Sequence, residues 1–134
     1  MTTTYYLDLA AGNLFGTKTT PAIPKKYYIG LSSSLPQTNG TGATEPSTSG
    51  TGYARVELTG LSEPSDGTIT NSGVITFPES VTAWGTMTCY VIYDAPTGGN
   101  LLMYGNLEVS RNIESDTVLS IRANELQITL ANPA

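Results

Sequence analysis

The chain has 134 residues, 39% of them hydrophobic and only 13% charged, with a net charge of −5. That length supports one domain with a sizeable core, and so little charge excludes a disordered polymer, which pairs low hydrophobicity with high net charge. The acidic balance excludes nucleic acid as a partner, because binding phosphates needs several cations on one face.

The N-terminal stretch Tyr5 to Phe15 (YYLDLAAGNLF) predicts a short helix with Tyr6, Leu9 and Ala10 on one side. Gly12 and Asn13 interrupt that pattern and limit it to about three turns. A polar, proline-containing connector, Gly16 to Pro24, follows. Residues 1–26 are therefore read as an arm or short helix that docks on its own domain or reaches a neighbouring subunit; docking is the simpler expectation. The start of the chain lacks the basic cluster and apolar core of a secretion signal. No window approaches the ~18 apolar residues needed to span a bilayer. The expectation is a protein made where thiols stay reduced, with no membrane insertion.

Lys25 and Lys26 precede Tyr27 to Leu31 (YYIGL), the first strand, as solvated guards against edge pairing. Ser32 to Gly52 is rich in Ser, Thr, Gly and Pro and predicts a long surface loop. Within it, Asn39-Gly40-Thr41 fits a glycosylation acceptor, but Asn-Gly is also a favoured turn pair, and the turn is the reading taken. Tyr53 to Leu58 (YARVEL) alternates, with Tyr53, Arg55 and Glu57 on one face and Ala54, Val56 and Leu58 on the other. Period two with one apolar side predicts a half-buried strand. Ser65-Asp66-Gly67 is a further turn.

Gly73 to Phe77 predicts a short strand stopped by Pro78, which has no N–H for a ladder. Thr86 to Tyr93 is a longer strand, and Asp94 to Gly99 is a reversal leading into Asn100 to Tyr104. Leu107 to Ser110, Thr117 to Arg122 and Leu126 to Leu130 complete the set. Short strands with frequent turns and no long helix predict an all-β fold, a single antiparallel β-sandwich of jelly-roll or immunoglobulin-like kind over residues 27–134. The expected core is Ile29, Leu31, Val56, Leu58, Ile75, Phe77, Trp84, Val91, Leu102, Leu119, Ile121, Ile128 and Leu130.

The chemistry-bearing residues point away from catalysis. There is no His, which removes the commonest general base and metal ligand. The single cysteine, Cys89, sits inside a strand and reads as a buried structural thiol. Glu57, Asp94, Glu108 and Glu114 lie on different strands, and nothing in their spacing brings two of them across a groove as glycoside cleavage requires. No cofactor or metal is expected. Glycan binding is the stronger alternative: Trp84, Tyr53, Tyr93 and Tyr104 are candidate stacking platforms, with Asp94 and Asn100 to hold hydroxyls. The competing reading places Trp84 and alternate tyrosines in the core or at its rim.

GTGYARVELTG (Gly50 to Gly60), NSGVITFP (Asn71 to Pro78) and WGTMTCYVIYDAPTGGNLLMYGNL (Trp84 to Leu107) resemble, in order and spacing, a family of small tailed-bacteriophage virion proteins often labelled phage tail fibre proteins. YYIGLSSSLP (Tyr27 to Pro36) is similar to that family's early strand, which leads into a variable loop. The resemblance implies a non-enzymatic virion component assembled in a bacterial cytoplasm. Its expected partners are other capsid or tail proteins, sister copies in a homo-oligomer, and a host surface glycan if it is an adhesin. Its place is the particle exterior, as capsid decoration or as a tail- or fibre-associated subunit. The chain has no heptads and no repeating shaft. The loop Ser32 to Gly52 and the N-terminal segment are expected to contact the particle, and cutting the loop to a short Gly linker is expected to spare folding but reduce incorporation.

Overall fold

The computed structural model describes residues 1–17, 23–65 and 67–129. Most of the expected connector, the central residue of the Ser65-Asp66-Gly67 turn, and Leu130 of the expected core lie outside them. Ser65 and Thr68 exchange both backbone hydrogen bonds across that turn.

One helix, α1 (Thr4–Leu14), opens the fold. Thr3 is its N-cap: Oγ1 accepts from the Tyr6 N–H at 3.3 Å and donates to the Leu101 carbonyl at 2.7 Å. One hydroxyl thus satisfies an orphan helix donor and fixes the helix start to the sheet. Gly12 and Asn13 do not interrupt α1. Gly12 is buried against its neighbours, and Asn13 turns its amide onto the Leu9 carbonyl at 2.8 Å, satisfying it within the helix. The arm docks on its own domain: Leu9 is buried, Thr2 bridges Met103, and the Thr3 N–H reaches the Leu102 carbonyl at 2.9 Å.

Eight strands follow among the described residues: β1 (Tyr28–Ser32), β2 (Val56–Glu57), β3 (Thr68–Thr70), β4 (Ile75–Thr76), β5 (Gly85–Tyr93), β6 (Leu101–Ile113), β7 (Ser120–Ile121) and β8 (Gln127–Thr129). All pairings are antiparallel. They give a four-stranded sheet in the order β2-β1-β5-β6, and two ribbons, β3-β8 and β4-β7. The all-β expectation with a short N-terminal helix is met.

The sheet is apolar on both faces. Ile29, Leu31 and Ile92 share one buried cluster with Ile75, Phe77, Leu119, Ile121 and Leu126 from the ribbons and their flanks. Val91, Leu101 and Tyr104 form a second, with Ala43 of the long loop and Tyr93 packed against it. Most expected core residues are buried, while Val56 and Ile128 are half-buried. Trp84, Tyr53 and Tyr104 are buried, as the core reading of the aromatics has it, and Leu9, Met87, Ile92, Leu101, Ile113 and Leu126 are buried beyond the expected core.

Two expected elements are corrected. The paired part of Tyr53 to Leu58 is Val56–Glu57, and its faces are not as alternation predicts: Tyr53 is buried at 3% exposure and Ala54 is exposed. The reason lies across the sheet at Gly30, where a Cβ would collide with the Tyr53 hydroxyl and press on Arg55 and Val91. A missing side chain in mid-strand makes a berth for the tyrosine. Second, Asn100 to Tyr104 and Leu107 to Ser110 are one strand, β6. Its pairing with β5 passes from Cys89↔Asn106 to Met87↔Arg111, so Leu107 to Ser110 bulge out opposite Thr88. The bulge reads in sequence as a break between strands.

Candidate functional site

Of the five sequence-selected residues, Tyr93 lies under the Arg55 guanidinium, Tyr53 shares its carboxylate partner, and Asp94 and Asn100 close the reversal whose carbonyls it holds. Arg55, on the segment entering β2, has its side chain only 9% exposed and faces Glu45 of the long loop, 17% exposed. Its Nε donates to Glu45 Oε1 at 3.0 Å, and its Nη2 lies 2.9 Å from the same oxygen. Its Nη1 donates to the Ala95 carbonyl at 2.8 Å and to the Gly98 carbonyl at 2.7 Å, inside the reversal that joins β5 to β6. Glu45 also accepts the Tyr53 hydroxyl at 2.9 Å. That hydroxyl in turn accepts the buried Leu31 N–H at 3.0 Å.

The same reversal is closed from its other end. Asp94 Oδ1 accepts the Asn100 N–H at 2.8 Å, and Oδ2 accepts its side-chain amide at 3.0 Å. Asn100 then reaches the Tyr5 hydroxyl at 3.3 Å, which links the turn to α1. Trp84 meets Tyr53 edge-on, ring centroids 5.2 Å apart and planes at 89°. Its indole N–H donates to the Thr51 carbonyl at 2.9 Å. Trp84 is 7% exposed, so neither it nor Tyr53 offers an open ring face. Tyr93 is half-buried, with one face under Arg55; Asp94 is partly exposed and Asn100 exposed.

Electrostatically the cluster favours protonated phenols beside a fixed ion pair. Burial pushes the Tyr53 hydroxyl well above its ordinary pKa, and the Glu45 carboxylate adds to that rise. Tyr93 is raised by burial first and then by Glu45, against an opposing pull from Arg55. A tyrosine held protonated is a hydrogen-bond donor, not a base. No member stands as a nucleophile beside an available proton acceptor, since each carboxylate oxygen of Glu45 already receives donors. The arrangement is a clamp that pins the Asp94–Gly99 reversal and the long loop to the sheet.

The remaining carboxylates stay apart in role. Glu57 lies 3.7 Å from Lys26 on the exposed edge, and Glu108 and Glu114 are exposed. Cys89 is buried, with Sγ 3.5 Å from Asn106 Oδ1. Sequence reasoning missed Arg55 and Glu45, which alternation placed on a solvent face and in a featureless loop. A signal existed: Arg55 is one of only six basic residues and stands between residues of apolar neighbours.

One surface feature stands out beyond the clamp. α1 turns Leu7, Ala11 and Leu14 outward along one stripe, continued by Phe15; Leu14 and Phe15 are each 76% exposed.

A family model described as podophage GP4 fiber I protein gp80 matches residues 2–129, almost the whole chain. No curated protein matches it.

Proposed function

We infer a structural role in a virion, starting from one fact: the chain belongs to the phage fibre protein family described as podophage GP4 fiber I protein gp80. On that footing the chain is a non-enzymatic exterior subunit of a tailed phage, acting through protein–protein contacts and repeated as a homo-oligomer. Fibre or tail attachment fits the family better than capsid decoration does. The observation that carries the reading is the outward stripe Leu7, Ala11, Leu14 and Phe15. Residues at these spacings line one helix face, and large apolar groups kept in water on a contiguous stripe mark a contact surface. Asp8 is the one charge on the described helix, so covering this face desolvates little.

The N-terminal arm, described over residues 1–17, then docks on the sheet while presenting the outer face of α1 to a neighbour. The two core clusters support a two-layer sandwich, with the four-stranded sheet against the ribbons. The test is a Leu14→Asp, Phe15→Asp double variant, with circular dichroism for the fold and the protein content of purified particles for incorporation. A folded variant that is lost from particles supports the reading; normal incorporation overturns it.

A second reading is a carbohydrate-binding adhesin. It is favoured by Tyr93, Asp94 and Asn100 meeting at one turn held rigid by Arg55. Its test is glycan-array binding by the full chain, with a folded Tyr93→Ala variant reporting whether this turn is the binding surface.

A further inference from the structure

A sizeable concavity lies apart from the Arg55 clamp and shares none of its residues. It is a groove of about 870 Å³ between the bulged half of β6 and the segment from β7 to β8. Its lining includes Tyr90, Asn106, Arg111, Arg122, Asn124 and Gln127. We propose that this groove binds an oligosaccharide, holding its hydroxyls with these amides and guanidinium groups and laying one ring along Tyr90. The proposal rests on the adhesin reading and relocates its binding surface.

Three observations carry it. The first is that the groove is built by a specific backbone device. Leu107 to Ser110 stand opposite Thr88, so β6 swings out there and makes one wall. Tyr90 is cross-strand from Gly105, and a Cβ at Gly105 would press on the outer end of the Tyr90 ring. The glycine leaves the ring room to lie over the strand at the groove.

The second is the state of the polar groups. Arg111 and Arg122 have no ion-pair partner among the described residues, although carboxylates Glu108 and Glu125 line the same groove. Arg55, by contrast, spends all three nitrogens on the clamp. Guanidinium groups, amides and carboxylates lining one groove offer both donors and acceptors, and Arg111 and Arg122 balance Glu108 and Glu125 in charge. That is what adjacent sugar hydroxyls, each donor and acceptor, require. A volume of this size accommodates roughly two to three sugar rings.

The third concerns the rival occupant. Residues Met1 to Thr3 already pair with the first half of the outer edge of β6, and a protein strand adding to the rest needs an evenly spaced row of backbone partners, which the bulge breaks. A saccharide has no such requirement.

The test uses an array of bacterial surface oligosaccharides probed with the full chain, with Arg111→Ala/Gln127→Ala and Gly105→Ala as groove variants and Tyr93→Ala as the turn variant. Circular dichroism verifies the fold of each. Binding that falls at least tenfold in the groove variants and persists in Tyr93→Ala is the expected result. Because the lining carries opposed charges, binding changes little between low and physiological salt. Binding lost in Tyr93→Ala but kept in both groove variants overturns the groove and leaves the adhesin reading standing. No binding to any array member by the wild-type chain overturns both. Groove variants that bind glycans normally but fail to enter particles make the groove a protein contact, and the proposal falls.

Discussion

The Arg55 guanidinium carbon sits 3.5 Å from the centroid of the Tyr93 ring, while Nη1 of the same group holds the Ala95 and Gly98 carbonyls. One side chain therefore joins a loop residue forty positions away to the strand beside it. The stacked contact and the fork of donors both depend on the planar guanidinium.

Replacing that group separates the two contributions. Arg55→Ala leaves the Glu45 carboxylate largely buried beside Tyr53, and breaking a mostly buried pair costs about 3 kcal/mol. Arg55→Lys keeps the charge but not the fork, so it is expected to recover less than half of that loss. Urea unfolding of both variants measures this, and amide exchange should accelerate at Asp94 to Gly99. An Arg55→Ala protein as stable as wild type would show that the clamp is dispensable.

Tyr53 gives a second test, because its hydroxyl serves a buried backbone donor. Tyr53→Phe keeps the ring against Trp84 but leaves the Leu31 N–H without its acceptor. An unsatisfied buried donor costs about 1–3 kcal/mol. Gly30→Ala should destabilise by a comparable amount for a steric reason, since its Cβ would enter the space of the same hydroxyl. In the double variant Tyr53→Phe, Gly30→Ala the two costs should be less than additive, which a thermodynamic cycle on denaturation midpoints detects.

Alkaline pH should unfold the protein through its phenols. Tyr27, Tyr53, Tyr90 and Tyr93 all have raised pKa values with burial as the first cause, and at Tyr27 the Tyr6 hydroxyl bond adds to it. A raised value means the folded state holds the proton more tightly than the unfolded one. The contribution is complete below the ordinary tyrosine pKa of about 10 and is lost as pH rises beyond it. Through these phenols the denaturation midpoint is expected to fall once pH passes about 9.5. Phenolate absorbance from these four should appear together with the loss of near-ultraviolet circular dichroism; its appearance in a fully folded protein would contradict the burial argument.

Removal of Ser32 to Gly52 is expected to unfold or severely weaken the protein, contrary to what loop composition implies. Glu45 carries the Arg55 and Tyr53 contacts, and the Thr51 carbonyl accepts from both the Trp84 indole and the Val81 N–H. The Ser32 hydroxyl receives the Thr44 N–H at 2.9 Å and so ties the loop's base to β1. Thermal denaturation of the shortened chain, joined by a short glycine linker, decides the matter.

The sequence by itself determined the all-β class, the N-terminal helix, the positions of most strands, the Asn39-Gly40 and Asp94–Gly99 turns, the buried Cys89 and the phage fibre family. These rest on local properties: alternation, β-branched content, φ-permissive glycines and the order of short motifs. The Asn39 turn, for instance, is closed by its own side chain, with Oδ1 accepting the Thr41 N–H at 3.1 Å. Tertiary structure decided which faces were covered. Tyr53 is buried because Gly30 is empty, and Arg55 is buried because Glu45, ten residues earlier, arrives to neutralise it. The groove exists because β6 bulges against Thr88. Alternation along a strand records that its two sides differ, but which side is shielded from water depends on the group that the rest of the chain brings up against it.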